Sequence, residues 1–247
     1  MLQVQQVSRH FGNLVAVDNV TLNVAQGELR AVIGPNGAGK TTFFNMISGF
    51  FPPTAGTISF EGRDVTSWPV HKRVAAGMAR TFQITEIFPE LSVRENLRVP
   101  IEVALGKRLR PWLSRSDDAI IRKRLDELLE MGGLAAKADR LVGELSHGDQ
   151  RATEIMMSLA LNPRLLLLDE PTAGMGDQET YDITRLIRKL HRQEKLTVVL
   201  IEHDMRVVFQ LADRIMVLAE GSVLAEGTTD EIARDEKVQA AYLGKTE

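Results

Sequence analysis

The sequence predicts an α/β fold with parallel βαβ units and a helical middle third. Three observations predict it. Runs rich in β-branched residues fill the first part of the chain and return after residue 164. From Ser92 to about Leu161 the strand signal is absent and apolar residues recur at helical spacing. Helical stretches then separate the late strands, as parallel pairing requires.

Taken in order, Val4 to Ser8, Leu14 to Val24 and Glu28 to Ile33 read as strands, with Gly12-Asn13 as a turn. Gly39 to Ser48 reads as a helix closed by Gly49. Thr57 to Phe60 is a short strand before a turn at Glu61-Gly62. Ser92 and Glu95 have the spacing of a capping box, and Ile120, Ile121, Leu125, Leu128 and Leu129 give Ala119 to Met131 a helical period. Leu165 to Leu168, Thr197 to Ile201 and Ile215 to Leu218 read as buried strands, with a helix from Asp204 to Ala212.

The 247 residues fit one large domain, or one domain with a subdomain, and the 44% apolar content is ordinary for a globular chain. With no cysteine, disulfides and thiolate metal sites are excluded. A net charge of -3 argues against nucleic acid as a partner. MLQVQQVSRH lacks a signal-peptide core, and apolar runs such as Ile215 to Ala219 are too short to span a bilayer, so the chain reads as soluble and intracellular.

The strongest motif is VIGPNGAGKTT, which fits G-x-x-x-x-G-K-[ST] between a strand and a helix. Gly34, Pro35, Asn36, Gly37, Ala38 and Gly39 form a loop whose backbone N–H groups close around phosphate oxygens. Lys40 places a cation on the β- and γ-phosphates, the Thr41 hydroxyl suits Mg²⁺, and Thr42 follows. The plain alternative is a glycine-rich turn with a chance lysine. LLLLDEPTAG supplies the partner acid: four leucines make a buried strand, and Asp169 emerges at its C-terminal end, where α/β sheets place ligands. There it suits the Mg²⁺ shell. Glu170 follows, placed to orient or deprotonate a water, which points to hydrolysis rather than binding alone. Taken alone, His203 in VVLIEHDM reads as a satisfied structural residue; its place beyond a strand end favours a catalytic reading. Gln83, in ARTFQ, carries no meaning by itself. In GELSHGDQRATEI, Ser146-His147-Gly148 precedes a helical stretch, a place with free N–H groups and a positive dipole end suited to an anion.

In this order, phosphate loop, glutamine, Ser146 segment, acidic strand and histidine resemble the ATP-binding cassette (ABC) ATPases over nearly the whole chain. The resemblance implies a P-loop NTPase fold with a mixed sheet core, an N-terminal antiparallel β-region and an α-helical subdomain. It divides residues 1–247 into a catalytic core (1–87 and 162–247) and a helical signature subdomain (88–161) that docks on a transmembrane permease. It implies ATP and Mg²⁺ as cofactors. Phe11, in RHFGNLVAV, matches the aromatic that stacks on adenine. Gln83 matches the glutamine that touches Mg²⁺ and senses the membrane partner. Asp169 matches the Mg²⁺-associated acid, Glu170 the general base and His203 the histidine that contacts the γ-phosphate. LSHGD matches the family signature, usually Leu-Ser-Gly-Gly-Gln, through Leu145, Ser146 and Gly148; His147 replaces a glycine and Asp149, an added negative charge, replaces the glutamine. Gly176 stands where the family often has Asp or Asn. In that family two cassettes pair head to tail, each signature covering the ATP on the other's phosphate loop.

GMARTFQ, LSVRENL and the ending VQAAYLGKTE are similar to the ATPases of branched-chain amino acid and related amide or urea importers. That branch implies permease subunits, a second cassette (self or paralogue), a periplasmic or extracellular solute-binding protein acting indirectly, and a peripheral place on the cytoplasmic face of the cell membrane. Lipopolysaccharide-exporting ATPases, soluble ABC ATPases of DNA repair or translation, and phosphate-loop kinases of small molecules are the rivals. The basic stretch Lys107 to Arg124 reads as a solvated face, with contact to anionic headgroups as the alternative.

Overall fold

The computed structural model describes residues 1–81, 87–106 and 115–243. Two sheets and a set of helices build it in layers. β1 (Leu2–Phe11), β2 (Leu14–Val24), β4 (Ala55–Phe60) and β5 (Arg63–Asp64) form an antiparallel sheet in the order β2-β1-β4-β5. The second sheet has the order β10-β9-β3-β8-β7-β6, from β3 (Leu29–Ile33), β6 (Met78–Arg80), β7 (Leu165–Asp169), β8 (Thr197–Ile201), β9 (Arg214–Ala219) and β10 (Ser222–Gly227). All its pairings are parallel except β9 with β10.

The period of two along each strand divides the apolar residues between the two faces of the sheet, where they join three clusters, the smallest of them placing Ala31, Ile33, Ile215 and Val217 with Val208, Ile232 and Val238. Leu165, Leu167, Val199 and Ile201 face one side, where α1 (Lys40–Ser48) brings Phe43, Phe44, Met46 and Ile47 and the antiparallel sheet closes the layer. Leu166, Leu168, Val198 and Leu200 face the other. There they meet α3 (Val93–Ala104), α4 (Arg115–Met131), α5 (His147–Ala160), α6 (Asp177–Glu194) and α7 (Met205–Leu211) in one continuous cluster. Strands buried on both faces explain the unbroken aliphatic runs of β7 and β8. A short helix α2 (Val70–Ala75) precedes β6, and α8 (Thr229–Arg234) and α9 (Glu236–Leu243) follow β10.

The expected strands and helices are present, with small differences at their ends: Gly39 is the N-cap of α1 rather than its first residue. The capping box at Ser92 and Glu95 is made as expected. In α4, Ile121, Leu125, Leu128 and Leu129 are buried, whereas Ile120 is 52% exposed and lies off the apolar stripe. Sequence periodicity gave no signal for β6, which is three residues long and joins the sheet only by pairing Met78, Ala79 and Arg80 with Leu165, Leu166 and Leu167. Among the described residues no helix is long and apolar enough to cross a membrane.

Candidate functional site

The phosphate loop connects β3, whose five residues are all buried, to α1. Two glycines are required by close approach. A Cβ at Gly34 would lie 2.1 Å from the Leu218 carbonyl oxygen, and one at Gly39, where φ is 94°, 2.4 Å from that of Ala16. The loop is thus clamped between β9 and β2. Ala38 is buried; Asn36 and Gly37 are exposed at the crest and Pro35 is half-buried. No side chain caps α1, so its first N–H groups keep their donors for an anion. Lys40 is only 6% exposed, and its Nζ donates to the carbonyls of Gly34 (2.7 Å) and Pro35 (3.0 Å). Burial lowers its pKa, opposed by the negative charges of Glu170 and Asp169. Its direct partners being neutral carbonyls, this buried ammonium has unspent charge to offer an anion. Thr41 is exposed at the start of α1 and Thr42 is half-buried behind it.

Asp169 ends β7 and is completely buried. One oxygen, Oδ2, takes a guanidinium N–H of Arg80 at 2.8 Å; the other, Oδ1, is buried with no hydrogen-bond partner. Such an oxygen is costly unless a cation or donor reaches it. Glu170 has φ of 46°, a conformation disfavoured for a glutamate, and its N–H donates to Ile201 O at 3.0 Å. The reversal turns the carboxylate toward the end of β8, where Oε1 lies 2.5 Å from His203 Nε2. A carboxylate and an imidazole in contact, beside a buried lysine and a bare aspartate oxygen, can hold and move a proton next to a bound anion.

At the start of α5, Ser146 is the N-cap, its hydroxyl oxygen accepting from Asp149 N–H at 3.2 Å. Gly148 N–H donates to Glu179 Oε1 at 3.0 Å, and that hydrogen bond is the first cause holding the Glu179 carboxyl below its usual range. Ser146 and Gly148 line a cleft of about 500 Å³ with Lys137, Asp149 and Glu179.

Phe11 ends β1, 44% exposed, opposite Leu14 in the hairpin whose Ala16 abuts Gly39. Its ring meets Phe51 edge-on at 5.7 Å, and the Arg9 guanidinium stacks at 4.8 Å. Gln83 and the segment 107–114 of the basic stretch lie outside the described residues. Residues 115–124 of that stretch begin α4, where Arg122 and Arg124 pair with acids of the same helix.

Three residues escaped sequence reasoning. Arg80 bridges Asn45 Oδ1 (2.7 Å), Ser48 Oγ (2.8 Å) and Asp169, tying α1 to β7. Its only sequence signal was a charge inside the ARTFQ run, three residues before Gln83. Glu202, buried, accepts from Thr172 N–H (3.0 Å), the Thr172 hydroxyl (2.5 Å) and His203 N–H (2.8 Å), joining the exits of β7 and β8. An acid directly before His203 at a strand end was the available sign. Lys137 gave none.

Over residues 17–173 the chain matches the family described as ABC transporter, and residues 222–247 match one described as branched-chain amino acid ATP-binding cassette transporter. It is 39% identical over 251 aligned residues to the high-affinity branched-chain amino acid transport ATP-binding protein BraF of Pseudomonas aeruginosa, covering 99% of this chain and 98% of that one. A crystal structure of a nucleotide-free ATP-binding cassette from an ABC transporter superposes with a TM-score of 0.86 at 30% identity, covering 99% of each chain. A dimeric cassette in a post-hydrolysis state, bound to ADP and Pi, gives a TM-score of 0.76 at 28% identity over 93% of this chain and 99% of that one. With a phosphate loop, an acidic strand end and a histidine beyond the C-terminal ends of three neighbouring strands, the chain belongs to the ABC transporter family and is an ATP-binding, ATP-hydrolysing cassette subunit.

Proposed function

We propose that the chain drives import of branched-chain amino acids, or a related small polar solute, by pairing head to tail with a second cassette so that each ATP lies between one phosphate loop and the other chain's signature. The observation that carries the pairing is spatial. The cleft holding Ser146 and Gly148 is lined from α4, α5, α6 and the turn at Lys137, and contains no residue of the loop 34–42. One chain therefore has two anion-receiving elements in separate places, and a second chain brings them together. The solute class rests on the match of residues 222–247 and on the likeness to BraF. In this reading residues 1–87 and 162–247 act as the catalytic core, and residues 88–161 dock on transmembrane permease subunits fed by a solute-binding protein. The cassette works on the cytoplasmic face of the cell membrane.

The residues fit Mg²⁺: Asp169 Oδ1 is a buried oxygen without a donor, and a hard cation takes oxygen ligands. Asp169, with Thr41 and Gln83, would hold it, and when bound it would supply positive charge against the phosphates. The chain's own groups do the rest. The backbone N–H groups of the loop 34–39, all but Pro35, which has none, and Lys40 hold the phosphates, and Phe11 stacks on the base. Glu170 Oε1 takes a proton from the attacking water. His203, released from Glu170, turns its Nε2 to the γ-phosphate. Ser146 and Gly148 offer the same to the partner's ATP.

Complementation tests the pairing. A pure Lys40→Ala dimer has two damaged sites, and so has a pure Ser146→Arg dimer. Mixing them at random makes about half the dimers mixed, and about a quarter of all sites then join an intact loop to an intact signature. ATPase activity returns on mixing, with the permease present where pairing needs it and the variants on separate chains where the partner is a paralogue. Verified mixed dimers that stay inactive refute the head-to-tail arrangement.

A further inference from the structure

The signature's two unusual features, an acid at position 149 and a loose cluster of charges around it, converge on one oxygen. Asp149 Oδ2 lies 2.6 Å from Lys137 Nζ and 3.1 Å from Ser146 Oγ. The Ser146 hydroxyl, accepting from Asp149 N–H, is placed to donate its own proton to that carboxylate, with the Glu179 carboxylate on Gly148 N–H as its other acidic neighbour. Lys137 arrives from the turn Ala135–Lys137, which is pinned by hydrogen bonds from Lys137 N–H to Leu134 O (2.9 Å) and from Arg140 N–H to Lys137 O (3.0 Å), with Leu134 fully buried beside it. Lysine, aspartate, serine and Gly148 line the same cleft.

An anion approaching Ser146 and Gly148 meets the negative charge of Asp149 within one turn of the helix and that of Glu179, which already accepts from Gly148 N–H, and like charges repel. It also finds the serine proton already engaged. We infer that Lys137 is a positioning residue of the signature. It cancels the charge of Asp149 and holds the carboxylate, so that the Ser146 hydroxyl is free to swing its proton to a phosphate of the partner's ATP. Without Lys137, Asp149 repels the phosphate and keeps the serine. The departure at position 149 and the lysine at 137 are thus one compensated pair, contributed by two elements that meet only in the folded chain. This inference rests on the head-to-tail reading above.

The test uses the full chain carrying Glu170→Gln, titrated with ATP and Mg²⁺ and followed by sedimentation; if it does not pair alone, the assembled transporter complex is used. Four proteins are compared: this parent, and the parent with Lys137→Met, with Asp149→Asn, or with both. Lys137→Met raises the ATP concentration for half-maximal pairing tenfold or more. Asp149→Asn alone does not raise it. The double variant returns to within about threefold of the parent. That rescue is the decisive readout, because a lysine that merely braces its turn is still missing from the double variant. Thermal melting without nucleotide checks that each protein is folded. Unchanged pairing in Lys137→Met, or a loss that Asp149→Asn does not restore, overturns the inference while leaving the pairing intact. A parent that pairs in neither setting removes the head-to-tail reading, and the inference with it.

Discussion

Replacing Glu170 by Gln separates binding from chemistry at this site. The substitution preserves shape: Glu170 N–H keeps its bond to Ile201 O, and an amide still reaches His203 Nε2, now 2.5 Å from the carboxylate. What it removes is a base. General-base catalysis supplies on the order of 10²- to 10⁴-fold, and each tenfold is about 1.4 kcal/mol, so the barrier should rise by roughly 3–5 kcal/mol. The groups that hold the phosphates, Lys40 and the loop amides, are untouched, so nucleotide affinity should stay within about twofold of wild type. Single-turnover hydrolysis with Mg²⁺ measures the first quantity and equilibrium binding of a fluorescent ATP analogue the second. A further comparison with His203→Ala and the double variant should show non-additive losses, as expected of two groups in contact. A drop in single-turnover rate of less than tenfold, or an equal fall in rate and affinity, refutes Glu170 as the base.

Two other perturbations read different parts of the site. Phe11→Ala should weaken ATP affinity by about 5- to 150-fold, the equivalent of the roughly 1–3 kcal/mol of base–aromatic stacking, with little change in turnover at saturation; isothermal titration giving equal affinities would remove Phe11 from the site. Arg80→Ala strips a cation paired with a fully buried aspartate and should lower stability in the nucleotide-free state by about 3–5 kcal/mol. Urea unfolding measures the loss, and Mg²⁺ with ATP should recover part of it, since a cation then reaches Asp169.

The sequence alone determined the parts of this protein whose physics is local. VIGPNGAGKTT carries its own instructions: glycines where backbone must approach backbone, a lysine at the opening of a helix and an aliphatic strand before it. The four leucines before Asp169 state that the strand is buried on both faces, and so that the acid emerges where a parallel sheet places ligands. That a helix begins just after Ser146 was legible for the same reason, since the polar run and the helical stretch that follows it are neighbours in the chain; the capping bond of the Ser146 hydroxyl came with the structure. The order of these motifs carried the family.

Only the tertiary structure decided what depends on distant residues meeting. β6 is too short to declare itself, yet its pairing with β7 delivers Arg80 to Asp169, 89 positions along the chain. The contact of His203 with Glu170 spans 33 positions and needs β7 and β8 to be neighbours in register. From the sequence, Asp149 is simply an added negative charge in the signature. In the fold it is met by Lys137, because the turn after α4 packs against α5, and a salt bridge between separate elements leaves no period or motif in the chain. Periodicity and motif spacing report what a segment can do by itself; the charge balance of a site is set by which segments the core brings side by side.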